Sequence, residues 1–155
     1  KGLYRQGYAS SPEPDADFLL PFGIAAVKRK GKDITIITYG ALVQKSLEAA
    51  KKMDDRGVSV EVIDLRTINP LDEETIYRSV KKTGKVLVAH EDTITAGFGA
   101  EIAALIAQNA FEHLDGPVRR IGALNTPVPY SPPLENAMLP SEGKIIMALE
   151  ELAAY

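Results

Sequence analysis

The sequence predicts an α/β protein, a three-layer α/β/α sandwich whose five-stranded mixed sheet has one antiparallel edge strand. Three observations predict this fold. Short β-branched runs alternate with longer amphipathic segments along most of the 155 residues. Lys85–His90 is almost continuously apolar, as strands covered on both faces are. The length is that of about one domain, and 45% apolar with 25% charged residues is ordinary for a globular protein.

The composition excludes several classes of protein. There is no cysteine, which removes disulfides, thiolate nucleophiles and cysteine-ligated zinc. Eighteen basic and 21 acidic residues give a net charge of −3, so we expect no nucleic-acid partner. No apolar run reaches the roughly 20 residues of a membrane span, so we expect no membrane partner. Two histidines and no tryptophan leave few side chains from which a catalytic site could be built. We predict neither catalytic residues nor a metal site.

Residues 1–21 are predicted to form an extended N-terminal arm. Three prolines and three acidic residues interrupt this segment, yet its tyrosines, Phe18, Leu19 and Leu20 are too apolar for a free tail. The chain begins at Lys1 without methionine, so we expect the arm to follow an upstream domain that this sequence lacks. The folded domain is expected over residues 22–155.

Two strands are predicted next, Phe22–Val27 and Ile34–Tyr39, with a basic turn at Lys28–Lys32. A parallel crossover needs a dozen or more residues, so this short connection predicts an antiparallel hairpin. The basic turn is expected to be solvated, and phosphate binding is the less favoured alternative.

The middle of the chain alternates helices and strands. A helix after Gly40 is expected to end before Gly57, and Val58–Leu65 is the next strand. Asp72 is placed to cap a second helix, with acidic residues in its first turn and lysines in its last, an order that suits the helix dipole. Gly84 ends that helix, and the strand Lys85–His90 follows.

The longest predicted helix covers residues 96–112 and has two apolar faces, one of large residues and one of alanines. A surface helix needs only one apolar stripe, so the second face indicates deep burial or a subunit interface, and we favour the interface. The candidate interface residues are Ala100, Ala103, Ala104, Ala107 and Phe111.

The last predicted strand is Val118–Ala123. Residues 125–140 hold five of the ten prolines and are predicted to be an ordered extended loop. Ser141 is the expected N-cap of the closing helix.

Several polar residues lie where parallel strands should end, the edge at which open α/β sheets bind ligands. His90 beside Glu91 could act as a general base, and Arg66 could bind a phosphate or carboxylate. A packed histidine and an ion pair of Arg66 that fixes the loop before Pro70 are the simpler interpretations. Gly97 begins a Gly-x-Gly pattern, but Ile102 takes the place of its third glycine. The candidate strand-edge ligand site comprises Gly40, Arg66, Thr67, His90, Glu91 and Gly97.

Six motifs carry a resemblance to a known family. In chain order they are Ile37–Gly40, Asp64–Asp72, Ala89–Glu91, Gly97–Ile102, Thr126–Tyr130 and Leu139-Pro140. Together they resemble the C-terminal domain of the E1 beta subunit of 2-oxo acid dehydrogenase complexes, the transketolase C-terminal domain, of the branched-chain, pyruvate and acetoin group. Asn125 stands where many relatives carry aspartate.

The resemblance implies the same five-stranded fold and a parent oxidoreductase that decarboxylates a 2-oxo acid and transfers the acyl group to lipoyl-E2. Thiamine diphosphate and Mg²⁺ are implied in the parent, but the Gly-Asp-Gly…Asn motif that binds them is absent here. We therefore expect this domain to bind no cofactor and to be inert alone. The implied compartment is the cytoplasm of a bacterium, which we prefer, or the mitochondrial matrix.

The implied partners are an E1 alpha subunit or domain, a second E1 beta copy and the basic subunit-binding domain of E2. The resemblance places E2 docking on an acidic surface at Glu112, Asp115 and the Tyr155 carboxylate, and the spacing of Glu112 and Asp115 puts both roughly on one helix face. A solvated acidic helix end is the alternative interpretation of these two charges. The alternative function is a free-standing small-molecule or nucleotide-binding domain that uses the strand edge.

Overall fold

A computed structural model describes residues 7, 10 and 12–155 of the chain. The predicted arm falls partly on residues 1–6, 8, 9 and 11, which lie outside the described residues. From residue 12 to residue 21 the chain has no regular secondary structure, and all ten of these residues are exposed. The elements are β1 Ala26–Arg29, β2 Ile34–Thr38, α1 Leu42–Asp54, β3 Val60–Asp64, α2 Glu73–Thr83, β4 Val86–Thr93, α3 Phe98–Asn109, a 3₁₀ turn Phe111–His113, β5 Arg119–Ala123, α4 Pro132–Met138 and α5 Glu142–Ala153.

The five strands form one sheet in the order β1-β3-β2-β4-β5. Strands β2, β3, β4 and β5 are parallel, whereas β1 pairs with β3 in the antiparallel sense at the edge. The predicted fold class, with its single antiparallel edge strand, is therefore confirmed.

Helices cover both faces of the sheet because its strands are apolar on both sides. Ile34 and Ile36 of β2 pack with α1 and α5, whereas Ile37 packs with α2 and α3 on the other face. Successive side chains of a strand point to opposite faces, so one strand supplies both cores. The result is the predicted α/β/α sandwich.

The predicted hairpin of the first two strands is wrong. Strand β1 begins at Ala26 rather than Phe22, and β3 lies between β1 and β2. The short connection fixes the opposite directions of β1 and β2, but both edges of β2 are already paired, with β3 and with β4. The side chain of Arg29 helps to hold β1 at the edge, because it donates to both carboxylate oxygens of Asp54 in α1.

The end of α3 and the structure of the proline-rich segment also differ from prediction. Helix α3 ends at Asn109 rather than residue 112, because Ala110 leaves the helical region at φ −141° and a 3₁₀ turn follows. Within the proline-rich segment 125–140 there is a helix, α4, with Pro132 and Pro133 in its first turn. The first turn of a helix tolerates proline because its N–H groups have no intrahelical acceptor there.

The predicted N-caps of two helices are confirmed. Asp72 accepts a hydrogen bond from the Thr75 N–H at 3.0 Å, and Ser141 accepts one from the Lys144 N–H at 3.3 Å. Gly84 ends α2 at φ 66°, a backbone conformation that glycine adopts without steric cost. Across the described residues, no helix combines the length and apolar character needed to cross a bilayer.

Candidate functional site

A surface groove of about 570 Å³ lies beside the C-terminal half of α3. The alanine face of α3 forms one wall of the groove. The turn that leads into β5 forms the other wall together with Tyr155. The lining residues are Ala103, Ala107, Phe111, Leu114, Asp115, Gly116, Pro117, Val118 and Tyr155.

The turn after α3 shapes this groove. The 3₁₀ turn places Phe111 outward, where 74% of the residue is exposed. The Asp115 N–H then donates to the carbonyl of Gly84 at 2.7 Å, which anchors the turn to the end of α2. The Asp115 carboxylate fills the space that a Cβ at Gly84 would need. Asp115 is thus held in place while remaining exposed to solvent.

Tyr155 closes the other side of the groove. Its ring packs on Gly116, where an added Cβ would lie 3.2 Å from the Tyr155 Cγ. Tyr155 remains 64% exposed. Two aromatic rings, Phe111 and Tyr155, are therefore open to solvent beside one carboxylate, an arrangement typical of protein-binding surfaces.

The structure brings together residues that the sequence assigned to two separate sites. Ala103, Ala107 and Phe111 come from the candidate subunit interface, and Asp115 and Tyr155 from the candidate E2-docking surface. Three predicted residues do not line the groove. Ala100 is half-buried, Ala104 is exposed, and Glu112 is exposed with its carboxylate 3.5 Å from the His113 Nε2.

The residues of the groove offer apolar surface and one charged side chain, the carboxylate of Asp115. Within residues 7, 10 and 12–155, no three His, Asp or Glu side chains converge in a way that could hold a metal ion. Apolar surface beside a single carboxylate is suited to binding a partner.

The candidate strand-edge site is only partly assembled. Gly40, Arg66 and Glu91 lie at the carboxyl ends of neighbouring strands, but His90 is completely buried. It follows Val86 and Val88 on the face of β4 that packs under α2 and α3. An imidazole enclosed in this way faces no ligand at the edge.

Three glycines enclose the His90 ring. A Cβ at Gly97 or Gly122 would lie 2.7 or 2.9 Å from the His90 Cε1, and a Cβ at Gly99 would overlap the ring. Neither ring nitrogen has a hydrogen-bond partner among the described residues. Burial lowers the pKa of His90, an effect that Asp92 opposes and Arg120 reinforces, so the imidazole is neutral at pH 7.

The predicted ion pair of Arg66 is wrong. Arg66 is exposed at φ 59°, and its side chain forms no ion pair or hydrogen bond with any described residue. Thr67 organises the loop instead, because its hydroxyl accepts from the Gly23 N–H at 3.0 Å and donates to the Pro70 carbonyl at 2.9 Å.

Sequence reasoning missed the role of Asn125. Its side-chain oxygen accepts from the Thr95 N–H at 3.2 Å, and its Nδ2 donates to the Thr95 hydroxyl at 2.8 Å. Arg120 donates to the Ile94 carbonyl at 2.9 Å. These contacts hold the loop that leads into α3, next to Ala96 at φ 61°. The one available signal was the asparagine at a position where the family often has aspartate.

Residues 23–145 match the protein family described as "Transketolase, C-terminal domain". The mitochondrial pyruvate dehydrogenase E1 component subunit beta of Dictyostelium discoideum is 43% identical over 143 residues, which cover 92% of this chain and 40% of that protein. The 2-oxoisovalerate dehydrogenase subunit beta of Bacillus subtilis (strain 168) is 42% identical over 143 residues, covering 92% of this chain and 44% of that protein.

A solved structure described as "Split gene transketolase, inactive beta4 tetramer" superimposes with a TM-score of 0.77 at 26% identity, over 92% of this chain and 46% of that one. The chain thus spans less than half the length of each of these three proteins. The fold and the sequence match agree with the resemblance drawn from the six motifs. On these grounds the chain belongs to the transketolase C-terminal domain family, with E1 beta subunits of 2-oxo acid dehydrogenases among its relatives.

Proposed function

We propose that this chain is the C-terminal assembly domain of the E1 beta component of a 2-oxo acid dehydrogenase complex. In this role it associates with a second copy of itself and receives the subunit-binding domain of E2, and it catalyses no reaction alone. The observation that carries the proposal is the groove beside α3, where candidate interface and docking residues share one surface.

The physical character of the groove supports a protein partner. Phe111 and Tyr155 present large ring surfaces whose burial in a complex would be favourable by about 25 cal/mol for each Å² of apolar area. Small residues at Ala103 and Ala107 allow another chain to approach α3 closely. Asp115 supplies a fixed negative charge at the rim, which complements the basic partner that the resemblance implies.

The catalytic chemistry is proposed to belong to other parts of the parent protein. In the family, thiamine diphosphate with Mg²⁺ supports the decarboxylation of the 2-oxo acid, and an E1 alpha subunit or domain completes the enzyme. The proposed compartment is the bacterial cytoplasm or the mitochondrial matrix, in line with relatives of both origins.

Calorimetric titration tests the proposal against the small-molecule alternative. The chain is titrated with thiamine diphosphate and Mg²⁺, and the E1 protein that carries it is titrated with E2 subunit-binding domain. We expect no heat from the cofactor on the chain alone and saturable binding of the E2 domain by the E1 protein. Saturable cofactor binding by the chain would favour the alternative, and failure of the E1 protein to bind the E2 domain would refute the docking role.

A further inference from the structure

A second cavity, of about 280 Å³, opens between the edge strand β1 and helix α2, and Lys30 of the predicted basic turn lines it. Three cationic side chains, Lys30, Arg78 and Lys82, line it together with a single carboxylate, Glu61. Ser79 and Val27 contribute a hydroxyl and an apolar wall.

The irregular edge of the sheet creates this cavity. The register of β1 against β3 shifts between Val27 and Arg29. Val27 therefore pairs with Ile63, whose side chain belongs to the α2 core, whereas Arg29 pairs with Val62 and reaches α1 on the other face. The α2 face of β1 is left partly uncovered, since Val27 is 40% exposed.

The base of the cavity is a closed hydrogen-bond network. Glu61 is 3% exposed and accepts from the Ser79 hydroxyl and from Lys82. The Gly31 N–H donates to the same carboxylate at 3.4 Å. Burial alone would raise the pKa of Glu61, but the hydrogen bonds from Lys82, Ser79 and Gly31 outweigh it and lower the pKa. Glu61 is therefore ionised, and its charge is balanced by Lys82.

The other two cations lack a comparable partner. Arg78 donates to the Thr75 hydroxyl at 3.0 Å, and its contact with Glu74 is a 3.9 Å approach to a side chain that is 91% exposed. An exposed pair at that distance contributes little. Lys30 lies within salt-bridge distance of no carboxylate among the described residues. The three cations and the one carboxylate thus give the cavity an excess of two positive charges.

We propose that this cavity binds a tetrahedral oxyanion, phosphate or a phosphate monoester, between Lys30, Arg78 and Lys82. A guanidinium matches two oxygens of such an anion, and lysine ammonium groups add charge without a fixed geometry. Val27 and the buried base exclude part of the solvent, which strengthens charge-assisted hydrogen bonds. The site shares no lining residue with the groove beside α3, so its test is independent of the proposed function.

Amide chemical shifts of the ¹⁵N-labelled chain test this site, with inorganic phosphate, methyl phosphate and chloride titrated at constant ionic strength. We expect saturable shifts at Gly31, Arg78 and Ser79 with both phosphates and none with chloride. Saturation by inorganic phosphate alone would identify the free ion as the ligand, and tighter binding of methyl phosphate would identify an ester.

Charge-removing variants locate the site. Lys30→Gln and Arg78→Gln should each weaken phosphate binding about tenfold or more. Lys81→Gln is the matched control, because Lys81 lies on the same helix but does not line the cavity. Non-saturating shifts, equal shifts with chloride, or equal losses in the Lys81 variant would overturn the proposal.

Discussion

The imidazole of His90 packs directly against Gly99, the second residue of α3, and there is no room for a Cβ between them. Gly99 is buried, and His90 is completely inaccessible to solvent. The close approach explains a helical glycine at this position, because alanine is otherwise preferred in helices by about 1 kcal/mol.

Gly99→Ala should therefore destabilise the chain, by about 1–3 kcal/mol, since the methyl group would overlap the His90 ring. Gly143→Ala is the matched control, because in α5 the nearest atom to an added Cβ is the Ser141 Oγ at 3.9 Å. The control should be neutral or slightly stabilising. Urea unfolding of both variants measures the difference, and equal effects of the two would contradict the packing seen around His90.

Stability should fall as the pH is lowered through 6.5, because burial lowers the pKa of His90 in the folded chain. The unfolded chain then binds a proton that the folded chain does not, so the contribution of neutral His90 to stability is present above pH 6.5 and declines as the pH falls further. The slope should be at most about 1.4 kcal/mol per pH unit. Urea unfolding between pH 7.5 and 5.5 measures it.

His90→Leu should flatten this dependence on pH, because it removes the buried imidazole. A wild-type stability that is constant between pH 7.5 and 5.5 would show that His90 is accessible to protons in the folded chain.

Asp72→Ala should destabilise the chain by about 1–3 kcal/mol, because the carboxylate caps α2 at Thr75 and also accepts from the Ala25 N–H at 2.8 Å. Asp72→Asn keeps an acceptor and should lose less. Although burial alone would raise the pKa of Asp72, the Ala25 and Thr75 hydrogen bonds lower it, so its charge contributes stability above pH 3.8 that is lost on further acidification. Thermal unfolding at pH 7 compares the variants; equal melting temperatures for alanine and asparagine would rule out the cap.

Ala107→Glu should shift the E1 protein that carries this domain toward smaller assemblies, because a carboxylate would enter the alanine face of α3. Gln108→Glu adds the same charge at the neighbouring exposed position, outside the groove, and should not do so. Light scattering gives the mass of each variant. An unchanged mass for Ala107→Glu would place the self-association surface elsewhere.

Much of the fold could be predicted because the hydrophobic periodicity and the residues that mark helix ends indicate the same elements. Asp72, Gly84 and Ser141 mark helix ends through local chemistry, and all three do so in the structure. The position of β1 could not be predicted in the same way. Loop length fixes strand direction, but the neighbour of β1 depends on pairing between β2 and β3, which are separated in sequence by α1.

The candidate sites could likewise be predicted where they depend on a local sequence pattern, but not where they depend on contacts between residues far apart in sequence. The alanine face of α3 is visible as a sequence pattern, but its junction with Asp115 and Tyr155 requires the turn after α3 and the packing of Tyr155 on Gly116. Arg66 was expected to pair because strand ends often hold charged residues, whereas Thr67 supplies the contacts. A short hydroxyl side chain leaves no comparable signal in the sequence.

In the proposed function, the groove beside α3 receives a basic partner domain at Asp115. Surface plasmon resonance of the E1 protein over immobilised E2 subunit-binding domain tests it with two charge-removing variants, Asp115→Asn, which lines the groove, and Glu112→Gln, which does not. At low salt, Asp115→Asn should weaken binding by more than about tenfold and lose much of its salt dependence, whereas Glu112→Gln should change affinity by roughly twofold or less. Wild-type affinity for Asp115→Asn at both low and high salt would contradict the account.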